Sequence, residues 1–209
     1  TAGGMIRRWC EAKGVRILPK TQAAKIERAD GALAVTLTTG ERLPADLYLS
    51  AVGVKPDIGW LEGAGVAVGN GIIVNANMET GVEGVYAAGD VADAVDCVTG
   101  VRQVNAIQPN AVDQGRIAAL NMAGIRTSSV GSLAFNVLDT LGLVSSSFGA
   151  WHGVEGGEAT EFVDPEHWRY MRLEFDGDRL VGANVVGFTD HLGALRGLIE
   201  GRARLGKWK

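Results

Sequence analysis

Val85-Tyr86-Ala87-Ala88 stops at Gly89-Asp90, and a second apolar pattern opens at Pro109 and closes at Gly124. The first run predicts a short strand that turns at once. Pro109 suits the first turn of a helix, where its missing N–H costs nothing, and Val112, Ile117, Leu120 and Met122 carry that helix to Gly124. This succession restricts the segment to α/β architecture. In open α/β sheets ligands gather at the carboxyl ends of strands, so Asp90 is a candidate ligand contact and Gly89 would let backbone approach closely. The competing role for Asp90 is to cap a local turn. Gly115 inside the helix costs about 1 kcal/mol in propensity, which predicts a close neighbour there.

The chain before this segment reads as the back half of an α/β unit without its front half. Met5, Trp9 and Ala12 place one apolar stripe on a short helix, Lys13-Gly14 ends it, and Val15-Arg16-Ile17-Leu18 follows as a strand. Gln22 to Arg28 and Leu33 to Leu37 are two further strands, joined at the hairpin signal Asp30-Gly31. Thr39-Gly40 to Pro44 reads as a turn. Leu47 to Val52 is an apolar run of the buried-strand kind, ending at Gly53, where backbone could approach another group. Gly63-Ala64-Gly65-Val66-Ala67-Val68-Gly69 imitates a dinucleotide fingerprint with one residue too many. The strand-like Ile72-Ile73-Val74 follows it rather than a helix, so turns between strands are expected. Neither GxGxxG nor GxxxxGK[ST] occurs in the chain.

From Gly131 the rhythm changes to that of a small α+β module. Phe135, Val137, Leu138 and Leu141 fit one face of a short helix, and Leu143 to Gly149 fits a strand. Met171, Leu173 and Phe175 alternate with charged residues, Asp176-Gly177 marks a hairpin, and Leu180 to Val186 returns. His191 to Ile199 is a terminal helix. Gly193, Gly197 and Gly201 share one of its faces, which predicts close packing on the preceding sheet.

The 209 residues are 46% apolar with a formal charge of -4, which suits a folded chain and excludes disorder or a general nucleic-acid surface. No apolar run approaches the roughly 18 residues of a membrane span, and no signal peptide opens the sequence, so a cytoplasmic, non-membrane protein is expected. Cys10 and Cys97 read as reduced thiols. His152, His167 and His191 lack metal-ligand spacing, and no metal is expected. Asp164-Pro165-Glu166-His167 looks like a turn, while Trp151, Trp168 and Trp208 suit a core or an interface.

Taken in order, Ala51-Val52-Gly53-Val54-Lys55-Pro56-Asp57, then Glu79-Thr80 leading into Gly84 to Asp90, then Asn110-Ala111 and Gly115 to Gly124, resemble the C-terminal half of the FAD-dependent pyridine nucleotide-disulfide oxidoreductases. The branch most resembled is the rubredoxin, ferredoxin and nitrite reductase flavoproteins. The resemblance implies α/β plus α+β architecture: partial Rossmann-like FAD- and NAD(P)-binding domains followed by a small interface domain. Residues 1–49 would end the NAD(P)H-binding domain, 50–125 would be the returning half of the FAD-binding domain, and 130–209 the interface or dimerisation domain.

It further implies FAD and NAD(P)H as cofactors of the parent protein, with Gly53, Gly89, Asp90, Asn110 and Ala111 as cofactor-binding positions and no catalytic residue assigned. Asp90 would accept hydrogen bonds from the ribityl chain, and the helix end at Asn110-Ala111 would approach the flavin ring. The family's nucleotide fingerprints would lie upstream of Thr1. The expectation is therefore a piece of a longer chain, or one component of a split protein, that does not retain FAD alone. Its partners would be the missing N-terminal half or a complementary polypeptide, a redox protein acceptor and a second copy of itself, with no nucleic acid and no membrane. The alternative is a cofactor-free interaction or dimerisation module.

Overall fold

A computed structural model describes residues 1–29 and 31–206. The chain divides into two units, one of Cys10–Val54 and one of Thr1–Trp9 with the chain from Lys55 onward. Helix α1 (Ala2–Ala12) begins in the second of these, and its predicted stripe packs Met5 with Ala2 against Leu143, Tyr170 and Val186. It ends as Lys13-Gly14 suggested: Gly14 adopts φ 84° and Val15 N–H donates to the Cys10 carbonyl.

The 10–54 unit is a three-stranded antiparallel sheet of β1 (Ala23–Ala29), β2 (Ala32–Leu37) and β3 (Arg42–Ala45). Ala29 pairs with Ala32 across the expected hairpin, whose Asp30 lies outside the described residues. Pro44, expected in a turn, sits instead in β3. That strand is an edge, which tolerates a residue with no N–H to give. Two expected strands are absent. Val15 to Leu18 joins no sheet, and neither does Leu47 to Val52, which leaves Leu49 78% and Val52 90% exposed. An apolar run supplies strand propensity, but only a neighbouring edge completes a ladder, and β1-β2-β3 pairs with neither segment.

In the other unit, β4 (Ile72–Ile73) lies parallel to β5 (Ala92–Val95), which pairs antiparallel with β6 (Arg102–Gln103). Helix α2 (Gln108–Met122) completes a core of Leu61, Ile72, Val74, Met78, Ala87, Ala92, Ala94 and Ala118. Gly63 to Gly69 leads into a bridge between Val68 and Ile72 with no helix behind it, as turns between strands require. Val85 to Ala88 is not a regular strand. It folds back on residues 78–80 through one bridge, Glu79 to Tyr86, and Ala87 N–H donates to the Met78 carbonyl at 3.1 Å. The Gly-Asp pair therefore precedes a strand, β5, instead of ending one. α2 closes as predicted, with Gly124 at φ 81° and Ile125 N–H donating to Leu120. The close neighbour expected at Gly115 is missing, for a Cβ there would meet nothing within 4 Å.

The chain from Gly131 forms β7 (Phe135–Thr140), β8 (Leu143–Gly149), β9 (Glu158–Asp164), β10 (Arg169–Asp176), β11 (Arg179–Val186) and α3 (Leu192–Glu200). The five strands make one antiparallel sheet in the order β7-β8-β11-β10-β9. β7 replaces the helix expected over Phe135 to Leu141. Leu141 and Gly142, at φ 53° and 88°, turn the chain in a two-residue hairpin, and Asp139 Oδ1 accepts the Gly142 N–H at 2.7 Å. Leu195 and Ile199 of α3 join Leu133, Phe148, Phe175, Leu180, Ala183 and Val185 in the core. The glycine face does not pack on the sheet: a Cβ at Gly193 or Gly197 would meet nothing within 4 Å.

Trp168 meets Trp9 edge-on at 5.1 Å, Trp151 donates to His152, and Trp208 lies outside the described residues. His167 pairs with Asp164 at 2.8 Å inside the expected turn. Among the described residues no helix is long and apolar enough to cross a membrane, and no group of three His, Cys, Asp or Glu is arranged to hold a metal.

Candidate cofactor site

Gly89 and Asp90 occupy a 3-10 turn, Gly89–Val91, which the chain enters extended at Ala88 and leaves directly into β5. Gly89 has φ 78°, and a Cβ on it would stand 3.3 Å from the Cβ of Ala111, so both backbone conformation and space call for glycine. Its N–H donates to Oε1 of Gln114 at 2.8 Å. Ala111 and Gln114 lie three residues apart on one face of α2, and together they clip the turn to the helix. Asp90 is exposed. Its carboxylate takes no hydrogen bond or ion pair among the described residues, and the residue that opens the turn, Ala88, makes no side-chain cap. The local-capping role is thus unfilled, and a full set of acceptor lone pairs is presented outward.

The amino end of α2 has no side-chain cap at Ile107 and no acidic residue in its first turn. The N–H groups of Gln108 and Asn110 find no acceptor among the described residues, which leaves the positive end of the helix open to an electron-rich group. Asn110 offers that N–H, because its side-chain nitrogen is already engaged. Its side chain is buried and donates to the carbonyls of Leu133, at 2.9 Å, and Asn105, at 3.3 Å. Ala111 contributes shape against Gly89, its own N–H being bonded to Ile107. Gly53 belongs to the 10–54 unit, exposed at φ 94° with nothing within 4 Å of an added Cβ.

Two residues near this site were given no role by the sequence reading. Gln114 is one; its partner lies far along the chain, and an amide on a helix face carries no signal of that. Asp96 is the other, and the signal was present, because Asp-x-x-Thr favours a side-chain-to-backbone turn. Asp96 is 1% exposed. One oxygen accepts from the N–H groups of Val98 and Thr99 and from the Thr99 hydroxyl; the other accepts from Gln103 and Asn105. Burial pushes its pKa up, but those donors prevail and hold it below the ordinary aspartate value. Asn105 also donates to Ser132 at 2.9 Å, fastening the end of β5 to the segment that enters the five-stranded sheet. Beside it, burial and then the Asp96 charge push the Cys97 thiol up to about 11, so it stays protonated and unreactive near neutrality.

Residues 1–115 match the pyridine nucleotide-disulphide oxidoreductase family, a stretch that holds every candidate position just described. The chain belongs to this family. Among its relatives in the family, the NADH-dependent phenylglyoxylate dehydrogenase subunit epsilon of Aromatoleum evansii is 35% identical over 179 residues, covering 85% of this chain and 42% of that subunit. The solved NAD-dependent persulfide reductase of A. fulgidus superposes with a TM-score of 0.84 at 22% identity, over 98% of this chain and 41% of the reductase. The putidaredoxin reductase–putidaredoxin complex gives a TM-score of 0.84 at 22% identity, with 96% and 48% covered. These likenesses give the fold, a Rossmann-like α/β oxidoreductase architecture with mixed sheets. The chain spans less than half the length of each of these three proteins.

Proposed function

We propose that this chain is the carboxyl-terminal part of an FAD-dependent NAD(P)H oxidoreductase that passes electrons from NAD(P)H through FAD to a redox protein or small acceptor. In this reading residues 1–49 complete the NAD(P)H-binding domain, 50–125 are the returning half of the FAD-binding domain, and 130–209 form the interface domain through which two copies associate. The two nucleotide fingerprints that the chain lacks would lie in the missing N-terminal half or in a complementary polypeptide.

The observation that carries the proposal is the Gly89–Asp90 turn, held to α2 while an unengaged carboxylate faces outward. The residues present fit FAD. Asp90 would accept hydrogen bonds from ribityl hydroxyls, and Gly89 removes the side chain that would obstruct the approach. A carboxylate near a pyrophosphate is tolerable only when such donors satisfy it. The N–H groups of Gln108 and Asn110 would offset negative charge on the flavin ring. Bound there, FAD supplies the hydride and electron-transfer chemistry that the protein's side chains do not offer. A protein acceptor is favoured by the likeness to a reductase solved in complex with putidaredoxin.

Asp90→Ala tests the reading directly in the complete flavoprotein, this chain together with the half that carries the nucleotide fingerprints. FAD affinity should fall by about 5- to 150-fold, the lower end applying if water replaces the carboxylate. Circular dichroism should show an unchanged fold. A folded variant with wild-type FAD affinity would refute the role.

A further inference from the structure

We infer that Gln114 is a positioning residue for the flavin site: its side-chain oxygen fixes the Gly89–Asp90 turn and thereby aims the Asp90 carboxylate. The inference rests on the FAD reading above and adds to it a residue that would not touch FAD.

Four observations converge on Gln114. Its Oε1 accepts the Gly89 N–H at 2.8 Å while the residue is only 4% exposed, so water is poorly placed to substitute for it. Gly89 sits at φ 78°, which glycine adopts without strain but also leaves freely, since negative φ is equally open to it. Within the turn, the 3-10 closure from the Ala92 N–H to the Gly89 carbonyl restrains the far side and leaves the Gly89 N–H to Gln114. Asp90 has no side-chain partner of its own, so its place is set by the backbone on which it stands.

A packing role alone would not call for an amide. A buried polar group is costly unless bonded, and an aliphatic residue would fill the same space beside Ala118 without that cost. The same helix face repeats the device one turn earlier, where buried Asn110 spends its amide on the carbonyls of Leu133 and Asn105. α2 thus holds the turn with one amide and the entry to the five-stranded sheet with another.

The test uses Gln114→Met, which keeps length and removes the acceptor, and Gln114→Glu, which keeps an oxygen in place. Amide hydrogen exchange at Gly89 is read in the 209-residue chain without cofactor. FAD affinity is read in the assembled flavoprotein, with and without Asp90→Ala. Q114M should speed Gly89 exchange by about 10-fold or more and weaken FAD by about 5- to 20-fold when Asp90 is present. It should add nothing in the Asp90→Ala background. Q114E should restore slow exchange and most of the affinity.

Unchanged FAD affinity in Q114M, alongside a loss in Asp90→Ala, overturns the inference and leaves the FAD reading intact. An equal loss in both backgrounds also overturns it, because Gln114 would then act by another route. Unchanged affinity in Asp90→Ala instead sinks the FAD reading itself. Should Q114M fail to fold, Q114E decides alone: slow exchange with retained affinity supports the inference, and fast exchange with retained affinity overturns it.

Discussion

Burial and hydrogen bonding oppose each other at Asp96, and the donors of Thr99, Val98 and Gln103 prevail. Its folded pKa lies below the unfolded one, so its contribution to stability is complete above the ordinary carboxylate range and is lost as pH falls through the folded value. Asp96→Asn should be less stable at neutral pH, and its stability should fall less steeply on acidification than that of the native chain. Urea unfolding across the acid range checks this; parallel curves would contradict it. Asp96 and Asp90, both acidic and six residues apart, differ in burial and in partners. One is 1% exposed with every oxygen engaged, and the other is exposed with none engaged. Asp90 was picked out in the sequence as Gly-Asp at the end of an expected strand; the strand is absent, but the pair does stand at a turn. Gln114 was not legible there, because its value depends on where α2 brings it.

At the scale of elements, hairpin strands and capped helices were the most readable parts. β1, β2, β8, β10, β11, α2 and α3 all fall where alternation, turn residues or a closing glycine placed them. The misreadings share a physical cause, which is that pairing decides between conformations the local sequence leaves open. Phe135, Val137, Leu138 and Leu141 satisfy helical spacing, yet the edge offered by β8 and the turn at Leu141-Gly142 make the segment a strand. Leu47 to Val52 shows the converse, strand-like residues without a ladder. β9 went unread because its residues are almost all exposed and polar pairing leaves little periodicity.

The glycine face of α3 provides a quantitative test at this scale. Gly193 and Gly197 are exposed, helical and free of neighbours, so Gly193→Ala and Gly197→Ala should each stabilise the chain by about 0.5–1 kcal/mol. Chemical denaturation measures it, and a loss of stability in either variant would restore the packing role for that face.

For the whole molecule, what the chain contains and what it lacks point the same way. It carries the Gly-Asp turn, an open helix end and a separate five-stranded sheet, and it spans 42% of the Aromatoleum subunit and 41% of the persulfide reductase. It carries no GxGxxG, the loop that places a dinucleotide pyrophosphate at a helix amino end. Donor and acceptor held apart in solution forgo the large advantage of fixed proximity, so the chain by itself should be a poor catalyst. The most direct measurement is flavin-dependent NADH oxidation by the purified chain with added FAD, alone and after addition of the complementary polypeptide. The account predicts a rate no greater than that of free FAD for the chain alone, and turnover that appears on assembly and weakens in Asp90→Ala at limiting FAD. Rapid turnover by the isolated chain, or an assembled enzyme indifferent to Asp90, would contradict it.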